Sequence, residues 1–259
     1  MRREHGPAGR RYGRRVNIDR YRRAIEADAE AIAATPAGSL DQVVPACPGW
    51  TVADAITHTG MVHRFVTRLL ETRAFPDRGD FDEAPAGADL PPWFAEGAGA
   101  LLAALDTADP DADYPTQIGD RPLPFWYRRQ AHEIAVHRHD AAAGRPSSTV
   151  ETALACDGVD EMFDVMVPRR FDFDTFGAPA TIHLHATDGG DTADHSGEWL
   201  ITVTGDEVIA RHEHRKGDVA ARGSASDLFL LLYNRVDATE LDIAGDPTVL
   251  DRWRAAVQI

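Results

Sequence analysis

The residues from Gln130 to Asp140, QAHEIAVHRHD, place three histidines, a glutamate and an aspartate within eleven positions. Such side chains move protons or hold metals, and spacing decides which of them can act together. Pro124-Phe125-Trp126 ahead of the stretch and Gly144-Arg145-Pro146 behind it are the usual punctuation of a helix. On a helix, side chains four apart stack on one face, so Glu133 and His137 can share a ligand. Trp126 and Gln130 sit on that face above them, and Asp140 lies below. His132 and His137 are five apart and diverge by about 140°. The stretch therefore reads H-E-x-x-x-H, not the zincin pattern H-E-x-x-H with its histidines four apart. Alone, Glu133 and His137 fit a solvated polar face equally well, and a metal site needs a third ligand from elsewhere.

Other elements must bring that ligand. Ile18, Tyr21, Ile25, Ala29 and Ile32 recur at helical spacing and predict a first helix, ended by Thr35-Pro36-Ala37-Gly38. Thr51 with Asp54 resembles a capping box, so a second helix begins near Val52. On it His58 shares the stripe of Val62, Phe65 and Leu69 and projects from the apolar side. His63 also lies on that side, where core packing is its expected role. Phe75 to Pro92 is rich in Pro, Gly and Asp and reads as a loop. A third helix is expected from about Trp93 to Asp106, and the Gln130 to Asp140 stretch belongs to a fourth. Four helices with long connections predict a four-helix bundle.

After Pro146 the pattern changes. One helix is expected from Val150 to about Val167. ATIHLHATD, EWLITVTG, EVIARHEH and DVAARG are short alternating segments separated by Gly and Asp, and predict a small antiparallel sheet. An apolar helix starts near Ser226, and Asp246-Pro247 opens a last one running to Val257. The fold class is thus a helical unit followed by an α+β unit, with residues 17–147 and 148–259 as the expected domains.

The 259 residues carry a net charge of −15, distributed unevenly. Residues 1–16 hold six arginines and one glutamate and read as a disordered basic leader; the remainder is −20. A body this acidic repels nucleic acid and anionic membranes, so neither is an expected partner. The longest strongly apolar run, Leu228 to Tyr233, is far too short to cross a bilayer. Two cysteines, Cys47 and Cys156, do not make a disulfide framework, and a reducing cytoplasm fits. Cys47 is expected as a buried turn thiol rather than a nucleophile.

CPGWTVADAITHTGMVHR, FWYRRQAHEIAVHRHDAAAG, IHLHATD and RGSASDLFLLL occur in this order, and with them the chain from about residue 18 onward resembles the mycothiol-dependent maleylpyruvate isomerase family. The resemblance implies a DinB-like metal-binding four-helix bundle followed by a small sterol-carrier-like domain. It implies a divalent metal, zinc, on His58, Glu133 and His137, with His58 as the third ligand. It implies mycothiol, the cysteinyl pseudodisaccharide of actinobacteria, as cosubstrate. Two imidazoles and one carboxylate leave a coordination position open, the usual catalytic arrangement. A thiol with a pKa near ~8.5 is mostly protonated at neutral pH, and metal coordination deprotonates it. In the family's isomerase the thiolate adds to an activated double bond, rotation follows, and elimination gives the trans isomer.

The expected function is accordingly a metal- and mycothiol-dependent isomerase or thiol transferase acting on a small electrophile, as a monomer or homodimer. The alternatives are a metal-dependent hydrolase, with water in the place of the thiol, and a non-catalytic binding protein braced by the metal. Asp140, Gln130, Trp126 and Arg129 are candidates for orienting ligands or meeting substrate. The family's substrate arginine would lie in the connection after the second helix, where Arg73 and Arg78 are available. His132 and His139 are expected at a surface or interface. His183 and His185 share one strand face, and His212 and His214 another. Packing at a pocket or domain interface is their expected role, with a second metal site as the alternative.

Overall fold

The computed structural model describes residues 18–143, 149–170, 176–189, 197–205 and 207–257. The arginine-rich residues 1–16 and the junction at 147–148 lie outside them.

Four helices come first: α1 (Ile18–Ala33), α2 (Val52–Thr72), α3 (Leu90–Thr107) and α4 (Pro124–Ala141). α1 buries Tyr21, Ile25, Ala29 and Ile32, the stripe its spacing predicts. α2 begins at the anticipated capping box: the Thr51 amide donates to Asp54 Oδ2 at 2.8 Å and the Asp54 amide to Thr51 Oγ1 at 3.3 Å. Arg73 closes α2 in the left-handed region at φ 54°. α3 starts before the expected Trp93, because Pro91 and Pro92 occupy its first turn, where a missing N–H breaks no helical bond. α1 and α2 each pack against both α3 and α4. Gly60 permits the close approach of α2 to α3, since a Cβ there would lie 2.3 Å from Trp93 Cζ3. A two-stranded ribbon, β1 (Asp113–Tyr114) with β2 (Arg121–Pro122), leads into α4.

α4 is buried around nearly its whole circumference; only Pro124, Glu133 and His139 are partly exposed. Its polar residues are therefore not a solvated face. Each charged group is met by an opposite charge, as burial demands. Arg138 Nε reaches Asp28 of α1 at 2.7 Å, and Arg128 Nε reaches Asp157 at 2.9 Å.

α5 (Thr152–Glu161) packs against α4 from the other side. The single helix expected from Val150 to Val167 is broken by a wide π turn at Met162–Met166, closed by the Val167 amide on Met162 O, before the short α6 (Val167–Arg170). A five-stranded sheet follows, made of β3 (Ala180–Ala186), β4 (Glu198–Val203), β5 (Val208–Arg211), β6 (Val219–Gly223) and β7 (Asp242–Gly245). Its order is β5-β4-β3-β6-β7. The sheet is mixed rather than antiparallel: β3 and β6 run parallel, while the other pairs are antiparallel. Alternating hydrophobicity tells which face a residue takes, not the direction of its neighbour, and the chain returns from the edge at β5 to lie beside β3. Ile182, Leu184, Trp199, Ile201, Val219 and Ala221 are wholly buried on the inner face. There α7 (Ala225–Leu232) and α8 (Thr248–Ala256) pack on β3. α7 begins at Ser224, whose hydroxyl accepts from the Asp227 amide, slightly ahead of the anticipated Ser226. Among the described residues, no helix is long and apolar enough to cross a membrane.

Candidate functional site

α2 and α4 meet where His58 faces Glu133 and His137. His58 Nε2 and His137 Nε2 each lie 3.4 Å from Glu133 Oε1. One donor atom from each of the three side chains falls within a 4.8 Å sphere of mutual separation. The spacing argument paired Glu133 with His137, and the helix crossing supplies His58 as the third member. His58 is not sealed in the core: its side chain is 40% exposed and looks into a cleft. Trp50, on the turn before α2, stands beside both rings, 5.3 Å from His58 and stacked 6.3 Å from His137.

The surroundings fix each member. Arg129, one turn before Glu133, bonds Glu133 Oε2 and also Glu161 of α5. Burial pushes the Glu133 carboxyl up, but the Arg129 guanidinium with His137 and His58 more than offsets it and holds it well below the usual carboxylate range. His137 Nδ1 meets Asp140 Oδ2 at 2.9 Å, which leaves Nε2 toward Glu133 and His58. Asp140 is held in turn by Arg235, through Nε at 3.1 Å and Nη2 at 2.9 Å. Burial raises the Asp140 pKa, yet the bonds from His137 and Arg235 bring it down to about 2. Burial lowers the His137 pKa, but Asp140 and Glu133 together carry it up to about 9. The anchoring carboxylate behind a histidine is the arrangement that fixes the tautomer of a metal-binding imidazole. Two imidazoles and a carboxylate with such support fit a divalent cation.

Two cavities open on either side of the trio. The first is walled by Val62, Phe65, Ile118, Trp126, Gln130 and Val165 among others. The second is walled by Cys47, Trp50, Val136, His137, Tyr233 and Arg235 among others. His58, Glu133 and Met166 line both, while His137 faces only the second. Met166 comes from the π turn, which helps explain why an unwound turn interrupts that helix. In the first cavity Trp126 Nε1 and Gln130 Oε1 are buried without a protein hydrogen-bond partner, so a donor and an acceptor are open to water or a bound molecule.

The remaining histidines, cysteines and arginines fall elsewhere. His63 is fully buried against Phe94, and burial drives its pKa down to about 3. His132 is at an interface and not on the surface, wholly enclosed with Nε2 3.2 Å from Asp157 and Nδ1 3.0 Å from Glu161. His139 is half-buried, and burial lowers its pKa. Cys47 is buried with Sγ 3.0 Å from Arg235 Nη2, and burial with nearby Asp140 pushes its pKa up to about 11. Cys156 is buried likewise, at about 12. Arg73 turns outward to Asp109 at 3.0 Å and does not line either cavity; the side chain of Arg78 lies outside the described residues. Arg129 and Arg235 are the guanidinium groups at the trio. Sequence reasoning missed Arg235, Trp50, Tyr233 and Met166. Trp50 sits in the CPGW motif, but nothing in the sequence connects Arg235 to Asp140, 95 positions away.

His183, His185 and His214 gather on Glu198, whereas His212 turns to Asp160 at 3.0 Å. The expected pairing of His212 with His214 fails because β5 ends at Arg211 and strand alternation stops there.

No curated protein matches the chain. Among solved structures, the mycothiol-dependent maleylpyruvate isomerase superposes with a TM-score of 0.59 at 11% identity, over 88% of this chain and 92% of that one. A histidine-to-alanine mutant of that enzyme gives the same values. At this identity the likeness is one of fold. The model of the mycothiol maleylpyruvate isomerase N-terminal domain matches residues 10–142, and the model of the corresponding C-terminal domain matches residues 153–252. Two successive models thus take up most of the length in the order that its motifs follow, and the chain belongs to the mycothiol maleylpyruvate isomerase family.

Proposed function

We propose that the protein is a metal- and mycothiol-dependent isomerase or thiol transferase acting on a small electrophile, after the pattern of the maleylpyruvate isomerase it resembles in fold. The observation that carries this reading is the position of His58 and Glu133 in the wall between two cavities. A thiol approaching from one side and an electrophile from the other would meet there.

His58, Glu133 and His137 would hold a divalent cation, with zinc the identity that the family resemblance implies. When bound, the cation supplies Lewis acidity and keeps a sulfur ligand deprotonated. The chain's own groups do the rest. Arg129 pins Glu133 Oε2, so that Oε1 is the oxygen turned toward the imidazoles. Asp140 fixes His137 so that Nε2 presents its lone pair. Trp126 Nε1 and Gln130 are set to bond polar atoms of the electrophile, while Val62, Phe65 and Ile118 keep water from it. Sulfur adds to one carbon of the double bond and a proton to the other; rotation about the resulting single bond and loss of both return the thiol and the trans product. Residues 17–147 would form a DinB-like four-helix bundle and residues 148–259 a sterol-carrier-like unit that closes the second cavity with Tyr233 and Arg235. Two cysteines without a disulfide and a thiol cosubstrate agree with a cytoplasmic setting.

The test is turnover of maleylpyruvate by untagged protein, with and without mycothiol. Isomerisation that requires both the thiol and a metal, and that is lost with the metal in His137→Ala, supports the reading. Turnover without thiol, or full metal retention by His137→Ala, overturns it.

A further inference from the structure

We propose that the outer face of the sheet carries a second divalent-metal site, built from His183, His185, Glu198 and His214. The register places these residues together. His183 and His185 alternate with the buried Ile182 and Leu184 and so point away from the core. Glu198 lies directly across from His185 on β4, and diagonally from His183, which pairs with Leu200. The segment crossing from β5 to β6 then brings His214 over the same spot.

All three imidazoles converge on one carboxylate. His183 Nε2 is 2.5 Å from Glu198 Oε2, His214 Nδ1 is 2.9 Å from Oε1, and His185 Nδ1 also contacts Oε1. Donor atoms of His183, Glu198 and His214 all lie within 4.8 Å of one another. The ring centres are separated by 5.3, 6.3 and 6.4 Å. Imidazoles sharing one ion at ~2.1 Å with tetrahedral angles have centres about 5 Å apart, so His183 and His214 already stand at the right separation while His185 must move in by about 1 Å. The exposure is graded as a binding site needs. The side chains of His183 and Glu198 are 10% and 15% exposed, that of His185 32%, and that of His214 77%. The donors of His183, Glu198 and His214 already stand together, and the partly exposed His185 is the ligand that turns in to complete the set.

Three nitrogens and one oxygen suit zinc and its late first-row neighbours. A set of four protein ligands leaves no position for substrate, which is the mark of a structural site. This distinguishes it from the trio on α2 and α4, where three ligands leave the coordination incomplete. Its role would be to tie β3, β4 and the β5-to-β6 crossing together. The inference does not depend on which reaction the first site performs.

Metal counting on untagged, full-length protein tests it. Chelator-treated protein is titrated with Zn²⁺, and separately with Co²⁺ whose visible spectrum reports tetrahedral histidine ligation. Wild type is expected to take two equivalents. The double variant His183→Ala with His214→Ala should take one, and so should His137→Ala, each keeping the other's. Should the double variant unfold, Glu198→Gln preserves shape and should still weaken the second equivalent by about tenfold or more, with the circular dichroism unchanged. One equivalent in wild type, abolished by His137→Ala, overturns the proposal and leaves a hydrogen-bonded histidine cluster. Two equivalents persisting in a folded Glu198→Gln protein with undiminished affinity overturn it as well.

Discussion

His137 is where a proton and a cation compete. Its pKa is carried up to about 9 by Asp140 and Glu133 against the effect of burial. A raised histidine pKa means that the protonated ring is favoured below that value, while metal binding needs the neutral ring. Metal affinity should therefore climb by about tenfold per pH unit between pH ~6 and pH ~8, and level off near pH 9. Competition with a chelator at several pH values measures this. An affinity independent of pH over that range would show that His137 gives up no proton. At this scale the site was largely legible in the sequence. Glu133 and His137 follow from helical periodicity, and Asp140 from its place one turn on. His58 needed the family resemblance, since a stripe position does not reveal which helix it faces. Arg235 was not legible, because its only link to the site is a fold that closes 95 positions of chain.

Helices carry these residues, and their contacts set the site's dimensions. Gly60 is two positions from His58 and lies against Trp93 of α3. Gly60→Ala would drive a methyl group to 2.3 Å from the indole. Overpacking of this kind costs about 1–3 kcal/mol. Either the half-buried Trp93 indole turns aside or α2 shifts, and the second alone lowers metal affinity together with the melting temperature. Thermal unfolding with and without Zn²⁺ separates the two effects, and a variant as stable and as tightly metal-bound as wild type would contradict the packing argument. α1 announced itself by its stripe and α2 by its cap, while α7 begins just ahead of the anticipated Ser226. The π turn at Met162–Met166 did not, since its apolar residues fit a straight helix equally well. β7 escaped notice because Asp242–Gly245 is a short, largely exposed edge with no alternation to read.

At the scale of the molecule, α4 is the shared wall between the helical part and the part that follows. Its polarity made it look like a surface helix, and only the assembled molecule shows the partners that allow it inside. Glu161, 1% exposed, receives both Arg129 and His132 across that wall. Glu161→Ala would leave Arg129 paired with Glu133 alone and His132 with Asp157 alone, with one buried N–H of each unmet, a loss of about 1–3 kcal/mol. Denaturant unfolding of the variant against wild type measures the loss. A loss below ~1 kcal/mol would mean that water replaces the carboxylate at the interface. One more consequence follows from the second cavity. Cys47 is part of its lining, on the side from which the cosubstrate thiol would approach in the proposed reaction. With its pKa pushed up to about 11, only ~10⁻⁴ of that thiol is ionised at neutral pH. Burial beside Asp140 thus keeps the protein's own sulfur a poor competitor for a cation held by the trio, since a protonated thiol is a weak ligand.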